Sequence, residues 1–76
     1  HLKEVRGAEI LILFVEVSSG SYKVSLRSKG SQDVHTLATR FGGGGHAKAS
    51  GFRLQGSLED VVAQVVEAAC QTLMDE

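Results

Sequence analysis

The sequence has no proline, no tryptophan and a single cysteine, Cys70. One cysteine excludes an internal disulfide framework and points to a reducing compartment, so the cytoplasm is the expected location. Long apolar runs are absent too. The longest, Ile10 to Val15, falls far short of the roughly 20 residues a membrane helix needs. No basic start leads into an apolar segment as in a secretory signal, and no membrane partner is expected. Histidines number three, and the basic middle of the chain holds one carboxylate, Asp33. A zinc or manganese hydrolase needs several His and carboxylate ligands converging on the metal. Covalent catalysis needs a nucleophile beside a base. Neither pattern is present, so no catalytic and no metal-ligating residue is expected. What remains is 76 residues, 42% of them apolar, enough for one small globular domain. Domains of this size are marginal alone, which suits a piece of a larger protein.

Glycine is what the chain has in excess, and four glycines stand in a row, Gly42-Gly43-Gly44-Gly45, followed by His46. Glycine buries no side chain and loses more backbone entropy on folding than other residues. The run offers backbone instead: N–H groups that can point the same way, with room for another molecule to approach. Such a concave row binds anions, and a histidine behind it adds a donor. Charge is distributed to match. From Lys23 to Arg53 the chain carries +5 and elsewhere −6, for a net charge of −1. The glycines fall in the basic part, which favours an anionic partner at one face.

Ile10-Leu11-Ile12-Leu13-Phe14-Val15-Glu16-Val17 reads as a central strand apolar on both faces. Residues 1–9 read as a polar lead-in. After a turn at 18–21, Tyr22 to Ser28 alternates, with Tyr22, Val24 and Leu26 on one face and Lys23, Ser25 and Arg27 on the other. The two strands form an antiparallel hairpin. Ser31 or Asp33 can cap a helix in which Val34, Leu37, Ala38 and Phe41 share a face. Gly42 stands where a left-handed helix stop is expected. Ala49 to Leu54 reads as a third strand, with Gly51 marking a close approach by backbone or ligand. Ser57 caps a last helix running to about Met74, with Leu58, Val61, Val62, Val65, Ala69 and Leu73 as its apolar stripe. Cys70 flanks that stripe as a small core residue. The expected fold is α/β in the broad sense: a small mixed sheet in the order β-β-α-glycine loop-β-α, with helices packed on it.

The glycine run fits neither familiar phosphate loop. A P-loop needs Gly-Lys-Ser/Thr, and Lys48 follows Ala47. A dinucleotide loop leads from a strand into a helix N-terminus. Here the run follows a helix, whose C-terminal end repels anions. The attraction must come from loop amides and from Arg27, Lys29, His46 and Lys48. Arg27 shares its face with Ser25, a guanidinium and hydroxyl pairing suited to phosphate. His35 reads as solvated, and His1 is uninformative.

Val24-Ser25-Leu26-Arg27-Ser28, the helix ending at Phe41, the Gly42–His46 run and Ala49-Ser50-Gly51-Phe52 together resemble the DHH-associated domain of the DHH phosphoesterases. That family includes RecJ-type exonucleases and nanoRNases that also dephosphorylate 3′-phosphoadenosine 5′-phosphate. The spacing is closest to the nanoRNase branch. The resemblance implies a two-domain enzyme, in which an N-terminal Asp-His-His domain holds manganese and hydrolyses the ester. The present domain would close over it and grip short RNA, DNA or a nucleotide phosphate. Arg27 and Ser28 would contact phosphate or sugar, and Gly42, Gly43, Gly44, Gly45 and His46 would hold the terminal phosphate. Ser50 stands where the family commonly has alanine, which adds a hydroxyl near the site. No Asp-His-His occurs in this sequence, so the chain would be inactive alone. The alternative is an interaction or dimerisation module whose glycines only let two backbones pack.

Overall fold

A computed structural model describes residues 1–5 and 9–74. It contains five strands, β1 (Leu2–Val5), β2 (Ile10–Ser18), β3 (Ser21–Ser28), β4 (Gly44–His46) and β5 (Ala49–Gln55). Two α-helices, α1 (Val34–Arg40) and α2 (Leu58–Ala69), complete it, with a π-helical turn at Cys70–Met74. The strands form one sheet in the order β1-β2-β3-β5-β4. Every neighbouring pair is antiparallel, so the sheet is not mixed. The expected combination of a small sheet with helices packed on it holds.

Alternation decides which face is covered. On β2, Ile10, Ile12 and Phe14 are buried; on β3, Tyr22, Val24 and Leu26; on β5, Phe52. These meet Val34, Leu37 and Ala38 of α1 and Val61, Val65, Ala68 and Ala69 of α2 in one core. Among the described residues, no helix packs on the opposite face. Leu13, Val15 and Val17 of β2 are exposed there, as is Leu2 of β1. β2 is central and apolar on both faces, as expected, but only one of those faces is buried: Leu13, Val15 and Val17 lie on the open side.

Residues 1–9 are not merely a lead-in. Leu2 to Val5 pairs with Ile10 to Leu13 and forms one edge of the sheet. Phe14 N–H donates to the His1 carbonyl at 2.7 Å and the amino terminus donates to the Phe14 carbonyl at 2.9 Å. Cys70 is exposed, not a core residue, because α2 buries its Val61, Val65 and Ala68–Ala69 side. Leu73, expected on the apolar stripe, has a side chain outside the described residues. No described helix is long and apolar enough to cross a membrane.

Both helix starts follow their caps. Asp33 accepts from the amides of His35 and Thr36, and Ser57 from Asp60. Glu59 and Asp60 in the first turn of α2 oppose its dipole. Ser57→Ala is expected to cost about 1 kcal/mol, read as a lowered midpoint in urea unfolding with an unchanged slope.

Candidate functional site

The glycine run is two devices placed end to end. Gly42 N–H donates to the Thr39 carbonyl at 3.2 Å and Gly43 N–H to the Ala38 carbonyl at 2.9 Å. With Phe41 as the C-cap, this is the bonding pattern of a Schellman helix end. Gly42 supplies its left-handed residue, with φ of 80°. Gly44, Gly45 and His46 then form β4, an edge strand folded back on β5 through Ala47-Lys48. The expectation of four amides turned toward one anion is therefore corrected: the first two close α1. The rest belong to an edge strand, in which alternate N–H groups face away from the partner.

Two glycines of the run, Gly43 and Gly45, have a steric reason. A Cβ on Gly43 would lie 2.1 Å from the Gly51 carbonyl oxygen and 2.5 Å from Phe52 Cβ. One on Gly45 would lie 2.6 Å from both the Ala49 carbonyl oxygen and Ser50 Cα, at a φ of 139°. Gly44 differs. Its φ is not in the left-handed region and nothing lies within 4 Å of where a Cβ would stand. Gly44→Ala is accordingly expected to leave the thermal midpoint nearly unchanged, as for other surface changes away from special geometry.

Other contacts fix the hairpin. Ser28 N–H donates to the Lys48 carbonyl at 3.0 Å and Val34 N–H to the Ala47 carbonyl at 2.9 Å. Phe41 and Phe52 stack with ring centroids 4.5 Å apart and planes 13° from parallel, anchoring the end of α1 to β5. The glycine segment is thus held by bonds to β3 and α1 as well as to β5.

Register then places the side chains. Directly opposed residues on neighbouring strands share a face. One row across the helix-free face runs Glu4, Leu11, Arg27, Ala49, His46. The next runs Leu2, Leu13, Ser25, Gly51, Gly44. A third runs Val15, Lys23, Arg53. The middle row ends in two glycines, so the sheet is bare beyond Ser25, between one basic row and another. An open depression of about 280 Å³ lies here, lined by Arg27, Ser25, Lys23, Gly44, Gly45 and Gly51, with Leu26, Ala49 and Ser50. Arg27 and His46 stand two strand spacings apart, about 10 Å between backbones.

Among the site residues expected from sequence, the depression brings together Arg27, Gly44, Gly45 and Ser50. Gly42, Gly43, Ser28 and His46 do not line it. Ser50 is buried and its hydroxyl donates to the His46 carbonyl at 2.6 Å, within the hairpin. The Ser28 hydroxyl donates to the Gly30 carbonyl at 3.2 Å. Lys29 pairs with Glu4 at 3.3 Å, and the Lys48 ammonium donates to the Gly30 carbonyl, so both are engaged away from the depression. Lys23 and Arg53 are cations of this face that the sequence reasoning misses. Strand alternation already put Lys23 beside Ser25 and Arg27; pairing with β5 was needed to bring Arg53 to it.

Among the described residues, no three His, Cys, Asp or Glu side chains are grouped as metal ligands would be. The resemblance places manganese in a separate N-terminal domain, and the groups that line the depression here are the donors of Arg27, Lys23 and Ser25 beside bare glycine backbone.

The DHHA1 domain model matches residues 1–75. Among curated proteins, the bifunctional oligoribonuclease and PAP phosphatase NrnA of Thermus thermophilus is 33% identical over 73 residues, covering 95% of this chain and 22% of that protein. The protein of the same name from Mycoplasma pneumoniae is 36% identical over 70 residues, covering 92% and 20%. That of Mycoplasma genitalium is 32% identical over 68 residues, covering 87% and 21%. The chain spans about a fifth of the length of these relatives.

Proposed function

This chain belongs to the DHHA1 domain family, and from that premise we propose that it is the substrate-gripping domain of a DHH-type phosphoesterase. Its guest is the phosphate of a short oligoribonucleotide or of 3′-phosphoadenosine 5′-phosphate, the two substrate classes named for its relatives. Hydrolysis falls to a partner DHH domain of the same protein. The observation that carries this reading is that Arg27 and the Gly44–Gly45 strand line one depression on the sheet face that no helix covers.

The chemistry is positional. Arg27 presents a planar fork of donors matched to phosphate oxygens. Ser25 adds a hydroxyl from the same strand and face. Gly44 and Gly51 leave the floor beside them free of side chains, so a sugar-phosphate can lie against backbone. The depression is open and at the small end of ligand sites, which run from roughly 300 to 1,000 Å³. That suits one phosphate and its sugar better than an enclosed molecule.

The test is an NMR titration of the 76-residue chain with 3′-phosphoadenosine 5′-phosphate and with a 5′-phosphorylated diadenylate. Shifts are expected at Ser25, Arg27, Gly44, Gly45 and Gly51. An unchanged spectrum at these residues with millimolar ligand overturns the reading. Gly44→Ala is expected to weaken binding about tenfold while the fold is retained, because the methyl fills the space the guest needs. Wild-type affinity in that variant means the guest does not lie on the floor. Sedimentation with and without ligand separates this reading from the dimerisation module, which self-associates and ignores phosphate.

A further inference from the structure

Lys23 and Arg53 are directly opposed across β3 and β5, on the helix-free face. Like charges placed so are destabilising. The described residues supply neither with a salt bridge, and Lys23 has the apolar Val15 on its other side. Glu4, on the same face, is held by Lys29. Two exposed cations thus face each other where a neutral or opposite-charge pair would be more stable. Lys23 also lines the depression that contains Arg27. The arrangement gains from an anion that sits between the two cations.

We infer that Lys23 and Arg53 form a second phosphate subsite, which extends the Arg27 site along β3 and grips the backbone of a nucleotide chain. The inference rests on the phosphate-binding reading of the depression and deepens it. Lys23 lies four residues from Arg27 on one strand, about 14 Å at about 3.4 Å per residue. The two phosphates of a single nucleoside hang from one sugar ring and are closer together than that. A chain of nucleotides repeats its charge along the backbone and spans the two positions. Between them lies the bare row of Gly51 and Gly44 with the small Ser25, a path with no side chain in the way. Proteins that hold single strands use basic grooves of this kind to follow the backbone. Arg27 would then serve every substrate, and the Lys23–Arg53 pair would serve oligonucleotides alone.

The experiment compares binding of adenosine 5′-phosphate, 5′-phosphorylated diadenylate and 5′-phosphorylated triadenylate to the wild-type chain and to K23T, R53T and R27A variants. Amide spectra confirm the fold of each. K23T and R53T are expected to weaken triadenylate binding roughly tenfold at low salt, and R53T, whose residue does not line the depression, to leave the mononucleotide unaffected. Each is expected to reduce the salt dependence of triadenylate binding by about one charge. Neither lowers the thermal midpoint, since each removes a like-charge contact and adds a β-branched residue. Equal loss for mononucleotide and triadenylate, or no loss for either, overturns the second subsite. Failure of the parent reading looks different: the mononucleotide then binds no better to wild type than to R27A.

Discussion

Arg27→Ala is expected to weaken nucleotide binding about thirtyfold while barely moving the thermal midpoint. The guanidinium is exposed on the helix-free face and lines the depression. Among the described residues it has no salt-bridge partner, so its removal leaves no buried charge behind. Surface changes of that kind stay within about 0.5 kcal/mol. A charge-assisted hydrogen bond to phosphate contributes roughly 1.5–3 kcal/mol, and a loss near 2 kcal/mol is about thirtyfold in affinity. Arg27→Lys keeps the charge and loses the fork, so it should fall between the two. Titration by NMR or calorimetry at one fixed salt concentration gives the answer. An Arg27→Ala chain that binds like wild type removes the depression as the phosphate site.

Gly43→Ala is expected to lower the thermal midpoint by about 15 °C. The added methyl meets the Gly51 carbonyl oxygen at 2.1 Å and Phe52 Cβ at 2.5 Å. Neither neighbour is the far end of a flexible side chain, so the backbone of α1's end or of β5 must shift. Overpacking of this sort costs roughly 3 kcal/mol, and each 1 kcal/mol is worth about 4–8 °C in a domain of this size. Circular dichroism melting of Gly43→Ala beside Gly44→Ala is the measurement. The two substitutions add the same methyl one residue apart, in a crowded place and an open one. Equal midpoints would show that crowding does not distinguish them.

Much of the fold was legible because local chemistry and final environment agree. The alternation of Tyr22 to Ser28, the helical face of Val34, Leu37, Ala38 and Phe41, the Ser57 cap and the stop at Gly42 all recur in the structure. The edge strands were not legible. Leu2–Val5 is too short and mixed to declare itself, and becomes a strand through its pairing with Ile10–Leu13. Gly44–His46 has poor intrinsic strand preference and is extended because β5 lies beside it. Within the site, Arg27 and the glycines were found by motif, but the division of the run between helix end and strand depends on hydrogen bonds to Ala38 and Thr39. Arg53 needed the β3–β5 register, which links residues far apart in the chain.

That register has a consequence for how the domain forms. β2 and β3 are joined by a tight turn and can zip locally, whereas β5 reaches β3 only after α1 and the glycine hairpin have been looped out. Closing that loop carries an entropic cost before any contact rewards it. The joint between β3 and β5 is therefore expected to form late in folding, and the depression straddles it. A guest touching both strands acts as a clasp. At saturating concentration it should slow amide hydrogen exchange along the whole of Ala49–Gln55, well beyond the residues it contacts.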